Sequence, residues 1–169
     1  LYTARELEHQ LKDSGAKAIV IIENFATTLE QCITHTPVKH VVLCAMGDQL
    51  GFLKGTLVNY VVRNVKKMVP EYSLPGAVRF NDAIAEGQRG TFKPVDIKPD
   101  DIALLQYTGG TTGVSKGAVL LHRNLIANVL QSDARNAPVM KRIPAGEQPT
   151  SVCALPLYHI FAFTVNMML

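Results

Sequence analysis

The sequence predicts an α/β fold: a largely parallel sheet flanked by helices, with an antiparallel hairpin around a glycine-rich loop. Three observations carry this. Short apolar runs alternate with helical segments in the first half, as parallel strands alternate with crossover helices. A longer segment repeats its apolar residues near the helical period. Two further apolar runs, "IALLQY" and "GAVLL", bracket a polar stretch rich in glycine.

"TARELEHQLKDSGA" reads as a helix, because Thr3 and Glu6 can form a capping box, Leu7 and Leu11 share a face and Gly15 stops it. "KAIVII", Lys17–Ile22, has the continuous apolar character of a buried parallel strand. Asn24 is placed to cap a second helix running to Thr34, and "HVVLCAM", His40–Met46, is the next strand. Between Asp48 and Met68 the residues Leu50, Leu53, Leu57, Val61, Val65 and Met68 recur near the helical period, which predicts an amphipathic helix closed by Pro70 and Pro75. Residues 87–101 are polar and turn-rich and read as a surface connection. Beyond the glycine-rich stretch, "HRNLIANVLQSDA" is a helix with Leu125, Val129 and Leu130 on one side, and "PVMKRIPAGEQPT" is a loop. "SVCALPL" reads as another strand, and "YHIFAFTVNMML" starts a helix. There is no internal repeat and no low-complexity segment.

Among the 169 residues, 47% are hydrophobic, enough for one packed core, while the charged fraction of 18% is low and suggests a surface partly covered by something else. A dispersed net charge of +3 argues against nucleic acid as a partner. Arg63, Lys66 and Lys67 form the one local basic cluster; they are either a solvated last turn that complements the helix dipole or a contact to a membrane surface. Cys32, Cys44 and Cys153 are odd in number and widely spaced, which signals neither a disulfide framework nor a zinc site and points to a reducing, intracellular setting. No signal peptide is visible, and no apolar run approaches the roughly 18 residues of a membrane span. The first residue is Leu1 and the last lie within the apolar run "IFAFTVNMML", so the chain is expected to be a piece of a longer protein.

The stretch Tyr107–Gly117 concentrates the chemistry. Its eleven residues hold Gly109, Gly110, Gly113 and Gly117, Thr108, Thr111 and Thr112, Ser115 and Lys116. The bland reading is a long hairpin loop, but tight hairpins use about two to five residues with one or two glycines. Glycines let successive backbone N–H groups converge on an anion, hydroxyls add donors and a lysine adds a point charge, so the composition suits a polyphosphate. It is not a Walker A loop, since the residue five beyond Gly109 is Val114 and Lys116 precedes Gly117 rather than Ser or Thr. Nor does it contain the G-x-G-x-x-G of dinucleotide folds.

The stretch Tyr107-Thr108-Gly109-Gly110-Thr111-Thr112-Gly113-Val114-Ser115-Lys116-Gly117 resembles the phosphate loop of the adenylate-forming superfamily, which includes acyl-CoA synthetases and luciferases. Gly109 stands where that family usually has serine, and Ser115 where it has proline. "YTGGTTG" is particularly similar to bacterial long-chain fatty acyl-CoA synthetases. "ALPLYHIFAF", Ala154–Phe163, is similar to the family's second motif, and "LHRNLIANV" and "LYTARELEHQLKDSGAKAIV" follow the family pattern too. The resemblance implies that the chain is a fragment, residues 1–169, of a large N-terminal AMP-binding domain with the C-terminal lid domain absent.

What the resemblance implies about activity is a two-step ligase using Mg2+ and ATP. A fatty-acid carboxylate attacks the α-phosphorus to give acyl-AMP and pyrophosphate, and the thiol of coenzyme A then displaces AMP. In family terms Tyr107–Gly117, including Val114, holds the β- and γ-phosphates, while Tyr158 and His159 lie by the acyl substrate. His159 is not given a general-base role, because a carboxylate nucleophile needs no deprotonation at neutral pH. The family's adenine, ribose and magnesium ligands and its C-terminal lysine have no match in this chain, so no catalytic residue or metal ligand is assigned and the chain alone is expected to be inactive. Acids of medium chain length or aryl type, and a non-catalytic nucleotide-binding module, stand as alternatives. A substrate drawn from a bilayer implies a cytoplasmic enzyme peripheral to the inner membrane, with a homodimer as the expectation for the full-length protein. His9, His35 and His40 lack ligand spacing and read as structural, and His122 stays open.

Overall fold

The computed structural model describes residues 2–108, 114–144 and 146–168. The chain forms two compact units, Leu1–Pro94 and Val95–Leu169.

In the first unit, helix α1 (Ala4–Ser14) starts as its sequence dictates. The Thr3 hydroxyl accepts from the Glu6 N–H, and the Glu6 carboxylate accepts from the Thr3 N–H at 2.7 Å. That backbone bond foremost, and a second from the Thr3 hydroxyl to the carboxylate at 2.8 Å, hold the Glu6 carboxyl below its usual range. Gly15 ends the helix in the left-handed region at φ 64°. Strands β1 (Ala18–Ile22) and β2 (His40–Cys44) pair in parallel, from Ala18 opposite His40 to Ile22 opposite Cys44. A two-residue strand β3 (Val78–Arg79) continues the parallel sheet on the other side of β2. The core of Leu7, Leu11, Ala26, Leu29, Cys32, Val41 and Leu43 lies between α1, a short helix α2 (Ala26–Glu30) and the sheet. Burial pushes the Cys32 thiol up, with the Glu8 charge adding to it.

Several expectations are corrected here. β1 is not buried on both faces: Ile19 and Ile21 pack on the core, while Val20 is exposed, because helices cover one side of this strand only. Asn24 caps nothing. Its amide donates to the Met68 carbonyl at 3.0 Å, and the segment that was to be one helix breaks into a turn at Glu23–Phe25, α2, and a second turn at Ile33–His35. Four β-branched residues (Thr27, Thr28, Ile33 and Thr34) weaken helix propagation there. The sequence also gave no sign of β3 or of α4 (Phe80–Arg89), whose last residues fall inside the expected surface connection.

The helix expected over Asp48–Met68 starts later and is turned over. α3 spans Phe52–Tyr60 and loosens into a wide π turn at Val61–Val65, and Gly51 at φ 76° breaks the chain ahead of it. Its inward side is Gly55, Val58, Asn59 and Val62, and the apolar stripe through Leu53 and Leu57 faces out. The reason is the seat of the helix. Gly55 packs backbone to backbone on Gly47, so close that a Cβ on either residue would strike the other's carbonyl oxygen. Asn59 fixes the same contact, accepting from the Gly47 N–H at 2.7 Å and donating to Asp48.

Arg63 is likewise neither a solvated terminal charge nor a free membrane contact. Its Nε and one terminal nitrogen donate to the two oxygens of Glu23 at 2.7 Å and 2.9 Å, and Arg79 donates to the same carboxylate at 2.8 Å. Glu23 is only 1% exposed. Burial alone would push its carboxyl up, but the hydrogen bonds and charges of the two arginines outweigh that and hold it below the usual carboxylate range.

The second unit is built on the expected antiparallel hairpin of β4 (Ile102–Thr108) and β5 (Lys116–Leu121). Helix α5 (His122–Met140) follows, starting where the Leu121 N–H donates to the Asn124 side chain and the His122 N–H to the Asp101 carbonyl. It runs three residues into the expected loop and carries Pro138 in its last turns; Leu125 and Val129 are half-buried, Leu130 exposed. "SVCALPL" is irregular chain rather than a strand: it has no strand partner among the described residues, the Ala154 N–H turns back to the Val152 carbonyl at 3.0 Å, and a turn follows at Leu157. The expected final helix begins as α6 (Ile160–Ala162) and widens into a π turn at Phe163–Met168. Among the described residues no helix is long and apolar enough to cross a membrane.

Candidate phosphate loop and acyl segment

All residues singled out by the two motifs lie in the second unit. Gly109, Gly110, Thr111, Thr112 and Gly113 fall outside the described residues; Tyr107, Thr108, Val114, Ser115, Lys116 and Gly117 form the hairpin's rim.

The hairpin register sets which rim side chains share a face. Thr108 sits opposite Lys116, Tyr107 opposite Gly117 and Gln106 opposite Ala118. Opposed residues of an antiparallel pair project to one side, and successive residues alternate. Gln106, Thr108 and Lys116 therefore share one face, and Tyr107 and Gly117 the other. On that second face the Tyr107 ring lies directly over Gly117: a Cβ there would stand 3.0 Å from ring carbons. Gly117 is needed for this close approach rather than for an unusual backbone angle. The aromatic ring thus braces the base of the loop, leaving Lys116 exposed at its exit.

The second motif reaches the first face. Gln106 Nε2 lies 3.5 Å from the Tyr158 carbonyl oxygen, a long hydrogen bond that tethers the Tyr158–His159 segment beside β4. His159 is the N-cap of α6, its Nδ1 accepting from the Phe161 N–H at 3.2 Å. An accepting Nδ1 carries no proton, so in the neutral ring the proton is on Nε2, which is the donor left for a ligand. Tyr158 is 82% exposed. Gln106 was missed by sequence reasoning, although it is the one polar residue within "IALLQY", and that break in an apolar strand was the available signal.

This set offers hydroxyls, an amide, an imidazole N–H and one ammonium, with no carboxylate. It fits an anion and does not fit a cation. Among the described residues no group of three His, Cys, Asp or Glu side chains is placed to hold a metal ion. In the first unit a surface cavity of about 400 Å³ is lined by His40, Val42, Val78 and Glu86 among others and contains no residue of either motif.

Residues 1–169, the whole chain, match the family described as AMP-binding enzyme. Over all 169 residues the chain is 55% identical to the long-chain-fatty-acid–CoA ligase of Escherichia coli O157:H7 and 54% identical to that of Yersinia pestis, spanning 29% of the length of each. In fold it is similar to the adenylation domain of a carboxylate reductase from Mycobacterium chelonae, with a TM-score of 0.59 and 19% identity, covering 96% of this chain and 24% of that one.

Proposed function

Because the chain belongs to the AMP-binding enzyme family, we propose that the whole protein is an AMP-forming long-chain fatty acid–CoA ligase to which these residues contribute the phosphate loop and part of the acyl site. The observation that carries the reading is the shared face of Gln106, Thr108 and Lys116, beside which the Tyr158–His159 segment is tethered. It sets the described rim of the glycine-rich loop and the Tyr158–His159 segment on one side of one hairpin, which supports an anion site next to an acyl site. The identity of more than half to long-chain-fatty-acid–CoA ligases supports the choice of acid.

In this reading both compact units belong to one large N-terminal AMP-binding domain, the lid domain being a separate part of the whole protein. The residues Tyr107–Gly117 hold the β- and γ-phosphates of ATP, with Lys116 as the mobile charge and the loop N–H and hydroxyl groups as the cradle. Their work is positioning and charge stabilisation: they align the α-phosphorus for in-line attack by the carboxylate and neutralise the departing pyrophosphate. His159 and Tyr158 orient the acyl group. This hairpin has no carboxylate to hold magnesium, so the ion would be carried by the phosphates themselves, where it would neutralise their charge. Coenzyme A then takes the acyl group through its thiol with release of AMP. The whole protein works in the cytoplasm as a homodimer, at the inner face of the membrane that supplies its substrate.

The test is release of AMP and pyrophosphate by the whole protein across a series of carboxylic acids. AMP that rises with acyl chain length supports the ligase. AMP only with short or aryl acids moves the specificity, and ATP binding without AMP from any acid overturns the activity.

A further inference from the structure

The outward side of α3 is apolar, while its inward side is seated through Gly55, Val58 and Asn59. On its outer side Leu53 and Leu57 are 80% and 64% exposed, with Phe52 at 86% and Tyr60 beside them. Large apolar side chains gathered on one exposed face ordinarily mark a contact surface, so this face needs an apolar cover of its own. The charges around it say what kind. From Phe52 to Met68 there is no acidic residue, and the basic ones are Lys54, Arg63, Lys66 and Lys67. Arg63 is held by Glu23, and the three lysines are exposed, Lys54 within α3 and Lys66 and Lys67 just beyond the π turn that follows it.

We propose that this face is a docking surface for an anionic lipid bilayer. Lipid accepts such a pattern where a protein core would not. Leucine and phenylalanine side chains sink about 5–10 Å into the interface, while lysines extend their stems along it and keep their ammonium groups among the phosphates. Tyr60 suits the boundary, with an apolar ring and a hydroxyl for the wet side. The seat of the helix fixes this orientation, since Gly55 against Gly47 prevents it from rolling its large side chains inward. The inference names the surface for the membrane location proposed above and rests on that reading only for the presence of a bilayer; vesicle binding and AMP release are separate measurements that can fail separately.

The experiment is flotation of the whole protein with vesicles of phosphatidylglycerol and phosphatidylcholine, against vesicles of phosphatidylcholine alone. The whole protein should float with the anionic vesicles and far less with the neutral ones. The K54Q/K66Q/K67Q variant should bind on the order of a hundredfold more weakly, from about fivefold per lysine. The L53D/L57D variant should not float, with an unchanged far-ultraviolet circular dichroism spectrum because both side chains already face solvent. The proposal is overturned if the parent protein does not float, or if L53D/L57D floats as well as the parent. A dimer in sedimentation equilibrium that L53D/L57D dissociates, without vesicle binding by the parent, would instead make the face a contact between copies.

Discussion

Arg63 grips Glu23 with two parallel hydrogen bonds of 2.7 Å and 2.9 Å across forty residues of sequence, and so ties the far end of the α3 segment to the end of β1. The carboxylate is buried while both of its arginine partners reach solvent. Such an arrangement depends on the carboxylate far more than on either arginine. Glu23→Gln leaves two guanidiniums facing an uncharged amide, and it should lower stability by about 1–3 kcal/mol, below the usual cost of breaking a fully buried pair because both arginines are partly solvated. Urea unfolding followed by circular dichroism gives the number; a midpoint equal to the parent's would show the triad to be idle.

The same carboxylate makes a pH prediction. Its folded value lies below the ordinary one, so the unfolded chain takes up the proton first. The contribution is complete above the unfolded value of about 4.3 and is lost as pH falls from there through the folded value. Thermal melting between pH 7 and pH 3 should show a loss in that window that Glu23→Gln lacks.

Gly55 and Gly87 should respond in opposite directions to alanine. A Cβ at Gly55 meets the Gly47 carbonyl oxygen, and displacing α3 should cost about 1–3 kcal/mol. A Cβ at Gly87, in α4, meets nothing within 4 Å and should stabilise by about 0.5–1 kcal/mol. Equal midpoints for the two variants would refute the close contact.

Lys116→Ala in the whole protein should reduce kcat/KM for ATP by about 10- to 100-fold, the loss of one charge-assisted hydrogen bond. Steady-state kinetics with the fatty acid saturating would measure it. A wild-type value would remove the lysine from the phosphate site.

Gly117→Ala tests the brace beneath the loop. The new methyl group stands 3.0 Å from the Tyr107 ring and must push it aside, so the KM for ATP should rise. The companion Tyr107→Leu/Gly117→Ala variant relieves the crowding and should recover part of that loss. No recovery would mean that the ring does not set the loop.

Local signals were legible in the sequence and long-range ones were not. Thr3, Glu6 and Gly15 mark the ends of α1 because the groups that cap a helix sit within a few residues of it. The two hairpin strands on either side of the glycine-rich stretch were visible for the same reason. The period of Leu53 and Leu57 correctly announces a helix, yet a period says only that one side differs from the other. Which side turns inward was decided by Gly47, eight residues before Gly55 and on another element. Glu23, Arg63 and Arg79 share no local pattern at all, being brought together by parallel strands and the crossovers between them. "SVCALPL" has the composition of a strand, but composition does not supply a neighbour.

The sheet of the first unit lays down β1, β2 and β3 side by side in the order in which the chain is made. A ribosome delivering this polypeptide presents each strand to a neighbour that is already in place, so the sheet can close before residue 95 emerges. Among the described residues its two outer strands have no further strand partner along their rims. Until those rims are covered, the nascent chain is a target for other nascent chains of the same kind, and slow translation beyond β3 would favour co-aggregation on the polysome.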